Sequence, residues 1–232
     1  ERSWSKRVTA WFDNPLLQQV ATTAALPVTC SLLQEAELLA FVNKIEAEKG
    51  SELFSTQESQ GVPSWALADA SPAPRAELRE KLLSRLGLPR ESILLVTVGP
   101  LVREKNQDQL FWSLDQLSCT RDDVRLLVIG DGPDRARLEH HARLNHVDHR
   151  VVWLGIVDSP VEYLRAADLY VSADPRERVS RALLEARAIG LPIIAHDTTT
   201  NRQIVTAPEH GKLVDPTYLA DYAGTMYRWL NQ

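Results

Sequence analysis

The chain has 232 residues, enough for one large α/β domain or one domain with part of another. Its 44% hydrophobic and 25% charged residues are those of an ordinary globular protein. A net charge of −5 without a long basic run argues against nucleic acid as a partner, and no apolar run approaches the roughly 18–20 residues of a membrane span.

In chain order, residues 1–62 read as a remnant or tail of an N-terminal domain. They hold an expected strand over 27–31, a helix over 32–48 closed by Lys49-Gly50, and a strand over 52–56. The start, Glu1-Arg2-Ser3-Trp4, has no methionine and suggests a processed, trimmed or excerpted chain. Residues 63–92 read as linker and a short helix over 76–86, closed by Gly87 and Pro89. From residue 93 to 232, strand and helix signals alternate. Strands are expected over 93–98, 124–129, 151–154, 169–171, 193–195 and 212–214. Helices are expected over 106–117, after Gly130-Asp131-Gly132-Pro133 with the proline in the first turn, over 161–167, between the fourth and fifth strands, and over 217–230. Repeated βα units with short loops predict α/β architecture with a doubly wound, Rossmann-like parallel sheet.

Several chemistries find no support. Cys30 and Cys119 are far apart and read as reduced thiols of a cytoplasmic protein, with a peripheral place at the membrane as the alternative. His140, His141, His146 and His149 read as solvent-facing residues rather than a zinc site, so no metal is expected. His196, after the fifth strand, reads as a loop histidine, with a place lining the cleft as the alternative. Neither a Gly-x-Ser-x-Gly elbow, a Walker lysine loop nor a Gly-x-Gly-x-x-Gly turn is present.

The stretch 168–196 carries the most chemistry. It predicts a strand, a charged loop, a helix and a strand, with Glu177 at the helix mouth and Glu185 about two turns in. The first turn of a helix offers backbone N–H groups and a partial positive charge to phosphate. Arg178 and Arg181 add charge there, while Glu177 suits sugar hydroxyls and Glu185 suits a ribose.

This spacing resembles the Glu-x7-Glu motif of GT-B-type retaining glycosyltransferases, the glycosyl transferases group 1 family. The resemblance continues in order through Val98-Gly99-Pro100-Leu101-Val102-Arg103-Glu104-Lys105-Asn106, Leu127 to Pro133, Val151-Val152-Trp153-Leu154-Gly155 and Gly211-Lys212-Leu213-Val214-Asp215-Pro216. It implies the C-terminal, nucleotide-sugar-binding domain of such an enzyme, working in glycan biosynthesis without a cofactor on a nucleotide-diphosphate sugar, with UDP and GDP first in order. By resemblance, Lys105 contacts the donor diphosphate and is catalytic together with Glu177, which orients the sugar. Gly99, Arg103, Arg178, Val179, Ser180 and Arg181 line the donor, Glu185 meets its ribose, and the backbone around Trp153 and Leu154 meets its base, with plain core packing of Trp153 as an equal alternative. The acceptor, a glycan, lipid or protein, would come to a second domain, here a remnant or carried on a partner chain.

Three departures bear on catalysis. Pro100 stands where the family has an arginine, with Arg103 nearby as a substitute; Arg178-Val179-Ser180 replaces a glycine-rich loop; and Gln203 replaces an acidic residue. They keep open two other readings: a non-catalytic nucleotide- or partner-binding module, and one subunit of a split glycosyltransferase.

Overall fold

A computed structural model describes residues 74–177 and 180–232. The strands and helix expected over 27–56, together with Cys30, Arg178 and Val179, lie outside the described residues. Six strands form one parallel sheet: β1 (Ile93–Val98), β2 (Val124–Ile129), β3 (Val151–Gly155), β4 (Leu169–Ser172), β5 (Ile193–His196) and β6 (Gly211–Val214). Their order is β3-β2-β1-β4-β5-β6, which is the doubly wound arrangement. Chain direction around the sheet reverses between β1 and β4, where Leu95 pairs with Leu169 and Val96 with Tyr170. Ligands of open α/β sheets sit beyond the carboxyl ends of the strands at such a reversal.

The helices are α1 (Arg75–Leu86), α2 (Asp108–Ser118), α3 (Arg135–Leu144), α4 (Val161–Ala166), α5 (Arg181–Ala188), α6 (Thr199–Arg202) and α7 (Leu219–Leu230). Strand sequences such as Ile-Leu-Leu-Val-Thr-Val are apolar at successive positions because helices cover both faces. On one face Leu95, Val171, Ile194 and Val214 form a core with Leu110, Phe111 and Leu114 of α2, Leu138 of α3, and Tyr222 and Met226 of α7. On the other, α4 lies against β1 and α5 against β4 and β5.

The helix over Arg75–Leu86 is tied to the sheet. Arg75 and Arg79 each place a guanidinium nitrogen 2.9 Å from a different oxygen of Asp168, whose Oδ2 also accepts the Leu94 N–H at 2.8 Å. One carboxylate thus joins α1, the start of β1 and the start of β4.

Several local expectations shift. The helix after β1 starts at Asp108 rather than 106, because Arg103–Lys105 form a 3-10 turn and Asn106 takes a left-handed conformation (φ 46°). Asparagine tolerates that region better than most residues. Pro133 lies in the turn before α3 and not in its first turn. The last helix starts two residues later than expected, since Asp215 Oδ1 accepts the Thr217 N–H (2.8 Å) and hydroxyl (2.6 Å) and sustains a turn there. His196 is the last residue of β5 and only 1% exposed, not a loop residue; its ring meets Tyr222 edge-on at 5.7 Å.

Candidate functional site

The site begins with backbone. Gly99 follows β1 with φ 143°, a conformation that L side chains rarely adopt. A Cβ at Gly99 would overlap the Lys105 Nζ, and one at Gly130, beyond β2, would overlap the Gly99 carbonyl. Glycine at these places lets the loops after β1 and β2 close on each other and lets the lysine fold back over the strand end.

Lys105 is 9% exposed. The 3-10 turn and left-handed Asn106 carry its side chain inward, and its Nζ stands 3.9 Å from Asp174 Oδ2 in the loop after β4. A lysine near a helix start is normally a surface residue; this one is at the β1–β4 reversal. Arg103, two residues earlier, is exposed and lies within electrostatic reach of Asp134.

Ser180 is the N-cap of α5, in an extended conformation, and its carbonyl accepts the Leu183 and Leu184 N–H groups at 3.1 Å each. Its side chain bonds the hydroxyl of Tyr170, a β4 residue 1% exposed, which also meets the Val98 backbone and feels the Glu185 charge. Burial raises the Tyr170 phenol well above its ordinary pKa, so it stays protonated. The end of β1 and the entrance of α5 are therefore joined through Tyr170, bringing Gly99, Lys105, Ser180 and Glu185 into one neighbourhood.

Glu185 is 4% exposed and accepts from Arg181 Nε at 2.9 Å. Burial raises its pKa against the opposing pull of Arg181. It lies on the fifth residue of α5, a little over one turn in rather than two, because the helix starts at Arg181.

Glu177 corrects the expectation most. It precedes α5 by four residues, and its carboxylate bonds the start of another helix. Its Oε1 accepts the Thr199 N–H at 3.0 Å and its Oε2 the Thr200 N–H at 3.3 Å, at the start of α6. The Thr199 amide, followed by that of Thr200, holds the exposed carboxyl below its usual pKa. Glu177 therefore ties the loop after β4 to the loop after β5.

The base-side residues divide by atom. Trp153's side chain turns into the helical layer, 5.7 Å from the Phe111 ring and 5.5 Å beneath the Arg135 guanidinium. The backbone there is irregular: Val128 pairs with Trp153 and Ile129 with Gly155, so Leu154 is an extra residue in a bulge. The bulge leaves the Leu154 backbone at the strand end without an opposite residue.

Sequence reasoning passed over Tyr222 and the Asp174–Arg176 pair. Tyr222's hydroxyl accepts the Ser172 N–H at 3.0 Å and donates to the Ile194 carbonyl at 2.8 Å, clamping the ends of β4 and β5. Asp174 takes Arg176 Nε at 2.7 Å and Nη2 at 2.6 Å. A tyrosine four residues from Met226 on an amphipathic helix was the available signal for the first; an acid and an arginine two apart in a charged loop was the signal for the second. Among the described residues, no group of three histidines, cysteines, aspartates or glutamates is arranged to hold a metal.

The chain belongs to the glycosyl transferases group 1 family, whose sequence profile matches residues 79–232. Among curated proteins it is 35% identical over 164 residues to the D-inositol 3-phosphate glycosyltransferase of Xylanimonas cellulosilytica, covering 65% of this chain and 38% of that one. It is 28% identical over 145 residues to the alpha-monoglucosyldiacylglycerol synthase of Streptococcus pneumoniae, covering 61% and 33%. The chain spans about a third of the length of these relatives. Among solved structures, WaaG, a glycosyltransferase involved in lipopolysaccharide biosynthesis, shares the fold with a TM-score of 0.65 at 22% identity, covering 74% of this chain and 45% of that one. No helix among the described residues is long and apolar enough to cross a membrane.

Proposed function

We propose that this chain supplies the donor-binding domain of a retaining glycosyltransferase that uses a nucleotide-diphosphate sugar. The observation that carries the reading is the covered ammonium of Lys105 over Gly99 at the β1–β4 reversal, joined through Tyr170 to the entrance of α5. The donor diphosphate meets Lys105 and the first turn of α5, and the leaving diphosphate is stabilised electrostatically there, without a metal. The Leu154 bulge offers backbone to the base. Glu185 reaches the ribose once Arg181 turns outward to the phosphates. Glu177, held by Thr199 and Thr200, presents its loop to the sugar. The acceptor, a glycan, lipid or protein, binds outside this domain.

One observation favours a non-catalytic nucleotide-binding module as the second reading: both glutamates already have partners, Glu177 in backbone amides and Glu185 in Arg181.

Calorimetric titration with UDP, GDP, ADP and their sugar conjugates tests the proposal. We expect saturable binding of one nucleotide, weakened at least about tenfold by Lys105→Ala and also by Glu185→Ala, as for loss of a charge-assisted contact. Absence of binding at millimolar concentration, or binding indifferent to Lys105→Ala, overturns it.

A further inference from the structure

The mouth between β1 and β4 holds a second cation beside Lys105. Asp174 Oδ2 stands 2.6 Å from Arg176 Nη2 and 3.9 Å from Lys105 Nζ. Asp174 Oδ1 takes Arg176 Nε at 2.7 Å and the Arg176 backbone N–H at 3.2 Å. A guanidinium and an ammonium thus converge on one anionic oxygen, an arrangement that suits a phosphate oxygen equally well. The Asp174 and Lys105 side chains are 12% and 11% exposed, whereas Arg176 is 28% exposed, so an incoming anion can reach the guanidinium. Asp174 thus faces two cations, and the Glu104 charge also lies within reach of Arg176. Burial opposes the Asp174 charge, yet the Arg176 hydrogen bonds, with Arg176 and Lys105 as neighbouring charges, hold its carboxyl below the usual range. Asp174 is therefore an anion at neutral pH. Pro100, on the facing loop, contributes no charge.

We propose that Arg176 binds the donor phosphates together with Lys105, and that Asp174 is a resident counter-ion occupying the phosphate's place until the donor displaces it. The inference rests on the donor-site reading above. Binding then exchanges one anion for another on the same two cations, and the displaced carboxylate holds affinity below what the two cations alone would give. Arg176 swings from Asp174 to the ligand, with the donor taking both its nitrogens.

Titrations of UDP, GDP and ADP into the full chain, as wild type, Asp174→Asn, Arg176→Gln and the double variant, test this at low and high salt. Asp174→Asn keeps the side chain's shape and should tighten nucleotide binding about tenfold, the scale of one charge-assisted contact. In the Asp174→Asn background, Arg176→Gln should weaken binding about tenfold and flatten its salt dependence, since one ligand cation is gone. Arg176→Lys should recover part of the loss.

Unchanged or weaker binding by Asp174→Asn overturns the counter-ion role. Equal affinities for Asp174→Asn and the double variant overturn the Arg176 role, leaving the guanidinium only to hold Asp174. Binding that Lys105→Ala weakens but positions 174 and 176 do not touch sinks this inference alone. Failure of all four proteins to bind any nucleotide sinks the donor reading and this inference with it.

Discussion

Glu177 shows how a residue's chemistry depends on where the loop around it turns. Its carboxylate caps Thr199 and Thr200, although sequence spacing points it at α5. Glu177→Ala should accelerate hydrogen exchange at the Thr199 and Thr200 amides at least about threefold, with the strand cores unaffected, because a local opening is released. Unchanged exchange would contradict the cap. Lys105 was legible because it follows a strand end by a short loop, and strand ends are where such sheets bind ligands. Arg176 and Asp174 were not, because their meaning comes from a 3.9 Å approach to a lysine about seventy residues earlier. The Trp153 side chain fills the helical layer, the core place that its sequence position also allowed, as aromatic side chains beside such a layer do.

At the scale of elements, the strand ends are held by buried tyrosines, one from each side of the sheet. Tyr170 joins β1 to α5, and Tyr222 joins β4 to β5. Tyr222→Phe leaves the buried Ser172 N–H and Ile194 carbonyl without their partner. It should cost about 1–2 kcal/mol of folding stability. That is a fall in unfolding midpoint of about 2–4 °C per kcal/mol for a domain of this size. A melting curve superposing on wild type would contradict the clamp. The six strands were legible to within a residue or two, because burial on both faces makes them continuous apolar runs. Helix starts were less so. Those of α2 and α7 are set by a left-handed asparagine and an aspartate turn, whose competition with the helix is local and sensitive to context. The start of α5, four residues after Glu177, moved a candidate sugar ligand from one helix to another.

For the whole molecule, two histidines make stability depend on pH. Burial lowers the His196 pKa despite Asp174 and Asp215, and burial followed by the Arg187 charge lowers that of His210. The Ala207 N–H donates to His210 Nδ1 at 3.2 Å, a bond that the neutral imidazole accepts, and the Arg187 guanidinium lies beside the same ring. Below the ordinary histidine value of about 6.5 the unfolded chain binds more protons than the folded one. The stability these two histidines leave intact above that pH is therefore lost as pH falls toward their folded-state values. The lowered carboxyls of Asp123, Asp134 and Asp197 act further down, below about 4. Chemical denaturation at pH 7.5 and 5.5 should show wild type losing more stability than His210→Gln; equal losses would contradict the assignment.

In the proposed function a nucleoside diphosphate binds at the carboxyl edge of the sheet, at the reversal between β1 and β4. Backbone amide NMR of the chain titrated with UDP, and then with GDP, tests it most directly. The amides perturbed by one of them should cluster at Gly99 to Lys105, at Leu154 and Gly155, and at Ser180 to Ala182. Shifts confined elsewhere, such as the groove of Trp112, Gln116, Ala220 and Tyr227 between α2 and α7, or no shift with either nucleotide, would contradict it.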